Sequence, residues 1–126
     1  MEQITMLEHR EVVRLDAARL EELYAQLGEK GAEDVVCRAL EELALRLSHT
    51  ERCHHEGRLE EMRKSARSLV AIADQIGMQA LSRVAGDVTR AIDNVDRVAI
   101  AATLSRLLRI GDSSLSEVWH MHDLSI

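Results

Sequence analysis

A chain of 126 residues, 46% apolar and 30% charged with a net charge of −6, is long enough for one domain with a buried core and too short for two. No apolar run approaches the length of a membrane span, and no basic stripe is concentrated enough to neutralise a row of phosphates, which sets aside membrane-spanning and nucleic-acid-binding readings. Residues 1–63 carry 15 acidic and 9 basic side chains and residues 64–126 carry 7 of each, so the excess of negative charge lies in the first half.

Proline and phenylalanine are absent, and Trp and Tyr occur once each, so Leu, Ala, Val and Ile must do nearly all the packing. That palette belongs to a helical bundle. Cys37 and Cys53, in a chain without a signal-like start, imply a reducing cytoplasm and no disulfide framework.

The reading of residues 1–14 stays open: Ile4, Leu7, Val12 and Val13 fit a short helix or an extended arm. Asp16 reads as an N-cap for a first helix over about 16–27, with Leu20, Leu23, Tyr24 and Leu27 on one face. Gly31 then separates it from a second helix over about 32–55, whose seam is Val36, Leu40, Leu43, Leu47 and Thr50. The stretch from Gly57 to Gly77, GRLEEMRKSARSLVAIADQIG, predicts a third helix bounded by a glycine at each end. At 100° per residue Leu59, Met62, Ala66, Leu69, Val70, Ala73 and Ile76 gather on one side. Glu60, Arg63, Lys64, Arg67, Ala71 and Asp74 gather on the other, with Arg67 roughly 130° from the centre of the apolar stripe.

A fourth helix follows over about 78–94, with Leu81, Val84, Val88, Ile92 and Val95 as its seam and Gly86 inside it, a glycine expected to allow close backbone approach. Asn94 and Asp96 mark a turn and a cap. The last helix starts near Arg97, turns Ile100, Leu104, Leu107 and Leu108 inward, and runs past Gly111 toward Trp119, leaving residues 120–126 as a tail. Long amphipathic helices joined by short connections make an all-α, antiparallel up-down-up-down four-helix bundle with an additional short N-terminal helix the economical fold, in one domain spanning 1–126.

This order of a capped short helix LDAARLEELYAQLG, a long helix, EGRLEEMRKSARSLVAIADQIG, MQALSRVAGDVTRAI and a closing helix resembles the histidine phosphotransfer (HPt) domain of two-component phosphorelays over about residues 12–120. In that family two glycines bracket the third helix, and the phosphoaccepting histidine stands midway in an H-x-L-K-G motif. Gly57 and Gly77 are the brackets here, and Arg67 occupies the place of the histidine. Leu69 matches the motif leucine, whereas Val70 and Ala71 replace the lysine and the glycine.

A neutral imidazole nitrogen is nucleophilic near neutral pH, and a guanidinium stays protonated, so Arg67 cannot carry phosphate. The resemblance therefore implies a non-catalytic HPt-like signalling module, cytoplasmic and without a cofactor, that docks a receiver domain or a histidine kinase. The docking surface it implies comprises Arg63, Lys64, Arg67, Ser68, Val70, Ala71 and Asp74, a cationic patch suited to an acidic receiver pocket. The competing reading of the same residues is an ordinary solvated face with local ion pairs. Two other functions stay open. One is a structural bundle that pairs with itself through exposed apolar positions such as Ala71 and Met78; the other is a phosphotransfer protein using a different histidine.

His49, Cys53, His54, His55 and Glu56 crowd the end of the second helix, with His49 and Cys53 one turn apart. Zinc takes such ligands, but a specific signal needs a second ligand pair at defined spacing, and the other cluster, His120 and His122, lies in the tail. Polar residues at a helix C-terminus, where imidazolium suits the helix dipole, explain the group without a metal, and no metal site is expected. Cys37 reads as a small buried apolar residue or the edge of one, and Trp119 as a packing lid over one end of the bundle or an exposed partner contact, the lid being the commoner role of a lone Trp. No phosphate-cradling loop or nucleophile–base signature appears, so no enzyme is expected.

Overall fold

The computed structural model describes residues 16–125, with side chains described for residues 16–116. The expectations for residues 1–14, and for the side chains of Trp119, His120 and His122, lie outside the described residues. The described residues are all-helical: α1 (Ala17–His55), α2 (Leu59–Gln75), α3 (Gln79–Asp93) and α4 (Arg97–Ser125). Each helix packs on the next, and α4 closes back on α1, giving a helical bundle. No described helix is long and apolar enough to cross a membrane.

The expected helices over 16–27 and 32–55 form the one element α1, which breaks at Gly28, where the first was expected to end, and resumes through Gly31 rather than after it. Gly28 sits at φ 76° and ψ 174°, a conformation that strains any residue with a Cβ, whereas Gly31 has no such requirement. Asp16 caps α1 as its sequence position predicts, its Oδ1 accepting the Ala18 N–H at 3.0 Å. The same residue ties the start of α1 to the α2–α3 turn. Its backbone N–H donates to the Gly77 carbonyl at 2.8 Å, and its Oδ2 accepts from Gln79 Nε2 at 3.1 Å. Arg19 Nε adds a bond to the Gln75 carbonyl at 2.8 Å.

The seams enter the core largely as their spacing dictates. Leu40, Leu43 and Leu47 from α1, Met62, Ala66, Leu69 and Ala73 from α2, Leu81, Val84, Val88 and Ile92 from α3, and Ile100, Leu104 and Leu107 from α4 are buried together. Truncating a fully buried member such as Leu43 or Leu69 to alanine would cost about 2–5 kcal/mol. Thr50 closes the α1 seam without a loose hydroxyl: its Oγ1 donates to the Arg46 carbonyl at 2.7 Å and accepts from Ser65 Oγ of α2 at 2.7 Å, with Ser65 Oγ itself 3.2 Å from that carbonyl. Ser65 is buried although nothing in the apolar pattern selects it.

Four expectations are corrected. Val95, assigned to the α3 seam, is 69% exposed, because the chain turns left-handed there at φ 51° after the Asn94 C-cap. Met78, offered as an exposed apolar position, is buried, because the left-handed Gly77 redirects the chain and turns it into the core; Ala71 is exposed as expected. Gly86 meets no neighbouring backbone, since an added Cβ would find only Arg90 Nη1 at 3.8 Å. The close approach falls instead at Gly111, where a Cβ would lie 2.5 Å from Leu47 Cδ1, so α4 nestles against α1 at that point. Asp96 caps α4 through the Ala99 N–H at 3.0 Å, and the helix extends to Ser125, through most of the segment expected as a tail.

Candidate functional site

The outward face of α2 is set by the apolar stripe that the other face buries. Arg67 is exposed midway along the helix, between Gly57 at φ 72° and Gly77 at φ 77°. Lys64, Ala71 and Asp74 are exposed with it, while Arg63, Ser68 and Val70 are half-buried. Val70 packs against the core, and the Ser68 hydroxyl donates back to the Lys64 carbonyl at 3.2 Å, so neither presents its polar or apolar end squarely outward.

Arg63 is fastened across to the end of α3. Its Nε donates to Asp93 Oδ1 at 2.6 Å and its Nη2 to Oδ2 at 3.2 Å, a bidentate pair. That hydrogen bonding raises the Arg63 pKa and holds the Asp93 carboxyl below its ordinary value, with Arg67 adding a smaller pull on Asp93. Of the three cations expected on this surface, Arg63 is thus already engaged, and Lys64 and Arg67 carry its exposed positive charge.

A second constellation forms where the end of α1 meets the start of α2. His49 and Cys53, one turn apart on α1, face Glu61 in the first turn of α2. His49 Nε2 lies 3.4 Å from Cys53 Sγ and 3.6 Å from Glu61 Oε2, and Sγ lies 3.9 Å from the same oxygen. Arg58, just ahead of α2, donates to Glu61 Oε2 and, at 2.9 Å, to Glu56 Oε1. The bond from Arg58 is the chief cause that lowers the Glu61 pKa, and burial followed by the nearby Glu61 charge raises that of Cys53. The Cys53 thiol is fully buried and held in its protonated form, so it is no free nucleophile, but sulfur, nitrogen and oxygen donors converge on one point. The sequence pattern gave His49 and Cys53; Glu61, the third donor, comes from the next helix.

The remaining histidines of that cluster are dispersed. His54 lines a shallow recess of about 180 Å³ with Gly57, Leu59, Arg97 and Ile100, and His55 is exposed. Cys37 is half-buried and reduced. A second groove, of about 210 Å³, runs between α1 and α2 and is lined by Val35, Arg38, Glu42, Ile72 and Gln75. Comparison with family models, with curated proteins and with solved structures gives no match.

Proposed function

We propose that this chain is an HPt-like signalling module that docks a receiver domain or a histidine kinase and carries no phosphate itself. In this reading the helices run antiparallel, up-down-up-down, and residues 17–27 act as the additional short N-terminal helix over one end of the bundle, in a cytoplasmic protein. The observation that carries it is the exposed Arg67 midway along a helix bracketed by two left-handed glycines. A guanidinium there stays charged and cannot accept a phosphoryl group. With Lys64 beside it, it offers an acidic receiver pocket two cations that no carboxylate of the described residues holds in an ion pair. Arg63 keeps the face rigid through Asp93 rather than serving as a third contact.

Titration calorimetry against receiver domains of the same organism, unphosphorylated and in phosphoryl-mimic form, tests the proposal. Micromolar binding to one receiver is expected, weakened about tenfold or more by Arg67→Glu, because like charges would then face each other. Silence across the panel, or equal affinity for the variant, would overturn it and favour a bundle that pairs with itself or with another helical protein.

A further inference from the structure

We propose that His49 Nε2, Cys53 Sγ and Glu61 Oε2 form a three-ligand site for a zinc ion, with a water molecule in the fourth position. The inference is independent of the docking reading, since it concerns a different face and end of α2.

Geometry carries it. A tetrahedral ion with bonds of about 2.3 Å to sulfur and about 2.0–2.2 Å to nitrogen and oxygen holds its ligand atoms about 3.4–3.6 Å apart. The three donor atoms stand at 3.4, 3.6 and 3.9 Å from one another before any ion is placed. They come from two helices whose relative position is fixed by the Thr50–Ser65 hydrogen bond one turn away, so the spacing is set by the fold rather than by mobile side chains. Sulfur, imidazole and carboxylate together suit zinc better than the hard, all-oxygen ions.

Charge and access agree. Thiolate and carboxylate together neutralise a divalent ion, and the proton leaves the Cys53 thiol for solvent as the ion binds. The imidazole donates its Nε2 lone pair and keeps its proton on Nδ1. Cys53 forms the closed floor of the site, while the His49 and Glu61 side chains are 35% and 46% exposed, which leaves an entry path and room for the water. Arg58, which bonds Glu61 Oε2 here, has Glu56 as a second partner to hold it when that oxygen turns to the metal. Three protein ligands with an open fourth position describe a site that exchanges a ligand rather than a sealed structural one.

The test is a titration of the full chain, reduced and stripped of metal, with Co²⁺, whose thiolate bonds absorb in the near ultraviolet and whose tetrahedral complexes absorb strongly in the visible. Both signals are expected to saturate at about one equivalent and to be displaced by Zn²⁺. Cys53→Ser should abolish the thiolate band, and Glu61→Gln and His49→Ala should each weaken binding at least about tenfold, whereas His55→Ala should leave it unchanged. Glu61 is a partly exposed position, so its variant keeps the fold and the test does not depend on the buried cysteine; circular dichroism checks each variant. No band at one equivalent, a thiolate band that survives Cys53→Ser, or unaltered affinity in Glu61→Gln would overturn the assignment.

Discussion

The two turns that bracket α2 are written with the same residue and held in different ways. Gly57 and Gly77 both sit in the left-handed region, at φ 72° and 77°, for the same local reason: the helix before each must end and the chain must turn into the next. Around Gly57 an added Cβ would meet nothing within 4 Å; at Gly77 it would lie 2.8 Å from Asp16 Cβ and 3.0 Å from Asp16 N. One turn is therefore an open one flanked by charged side chains, Arg58, Glu56 and Glu61, and the other is a seat onto which the start of α1 is stitched. A sequence position can share its backbone requirement with another while carrying a different load of neighbours.

The largest effect that bears on this contrast is expected from Gly77→Ala. Left-handed strain of about 1–2 kcal/mol adds to displacement of the Asp16 backbone, for a total loss of about 2–4 kcal/mol by chemical denaturation, with faster proteolysis of residues 16–27. Gly57→Ala should cost the strain alone, about 1–2 kcal/mol, and leave that proteolysis unchanged. Equal losses in the two variants would break the comparison. Asp16→Ala sharpens it from the other side, removing the cap and the Gln79 bond for about 1 kcal/mol while Gly77 stays in place.

The smallest effect is expected at the surface ion pair between Arg63 in the second turn of α2 and Asp93 at the end of α3. Asp93 has its pKa depressed in the folded state, so its contribution is present above the unfolded value near 3.8 and disappears as pH falls through the lower folded value. Arg63→Ala should lower the melting temperature slightly at neutral pH, less so in high salt, and not at all in acid below that window. A loss that persists unchanged into acid would mean Arg63 acts through packing of its stem rather than through charge.

What the sequence made legible follows the same division between local and tertiary causes. The seams of the helices, the Asp16 cap and the glycine brackets were readable because each depends on residues within a turn or two of itself. The end of the first helical stretch before Gly28 was readable, but the restart of the helix ahead of Gly31 was not, because both are glycines and only the backbone angle separates them. Val95 continued the α3 spacing in the sequence, yet the turn after Asn94 throws it outward. Gly86 and Gly111 were indistinguishable as helical glycines until Leu47 of α1 was placed against the second.

The candidate sites divide likewise. Arg67 and its exposed neighbours could be placed on one helix face by period alone. The engagement of Arg63 by Asp93 could not, because the partners are 30 residues apart on different helices. The same holds for Glu61: two of the three donors are an i, i+4 pair that any helical reading finds, and the third appears only when α2 packs against α1.

The measurement that bears most directly on the central claim, docking through the outward face of α2, is an amide chemical-shift map of isotopically labelled protein titrated with receiver domains. The account predicts that the perturbed amides cluster at Lys64, Arg67, Ala71 and Asp74. Perturbations gathered instead around the exposed Val95 and Val98, with the α2 face silent, would contradict it.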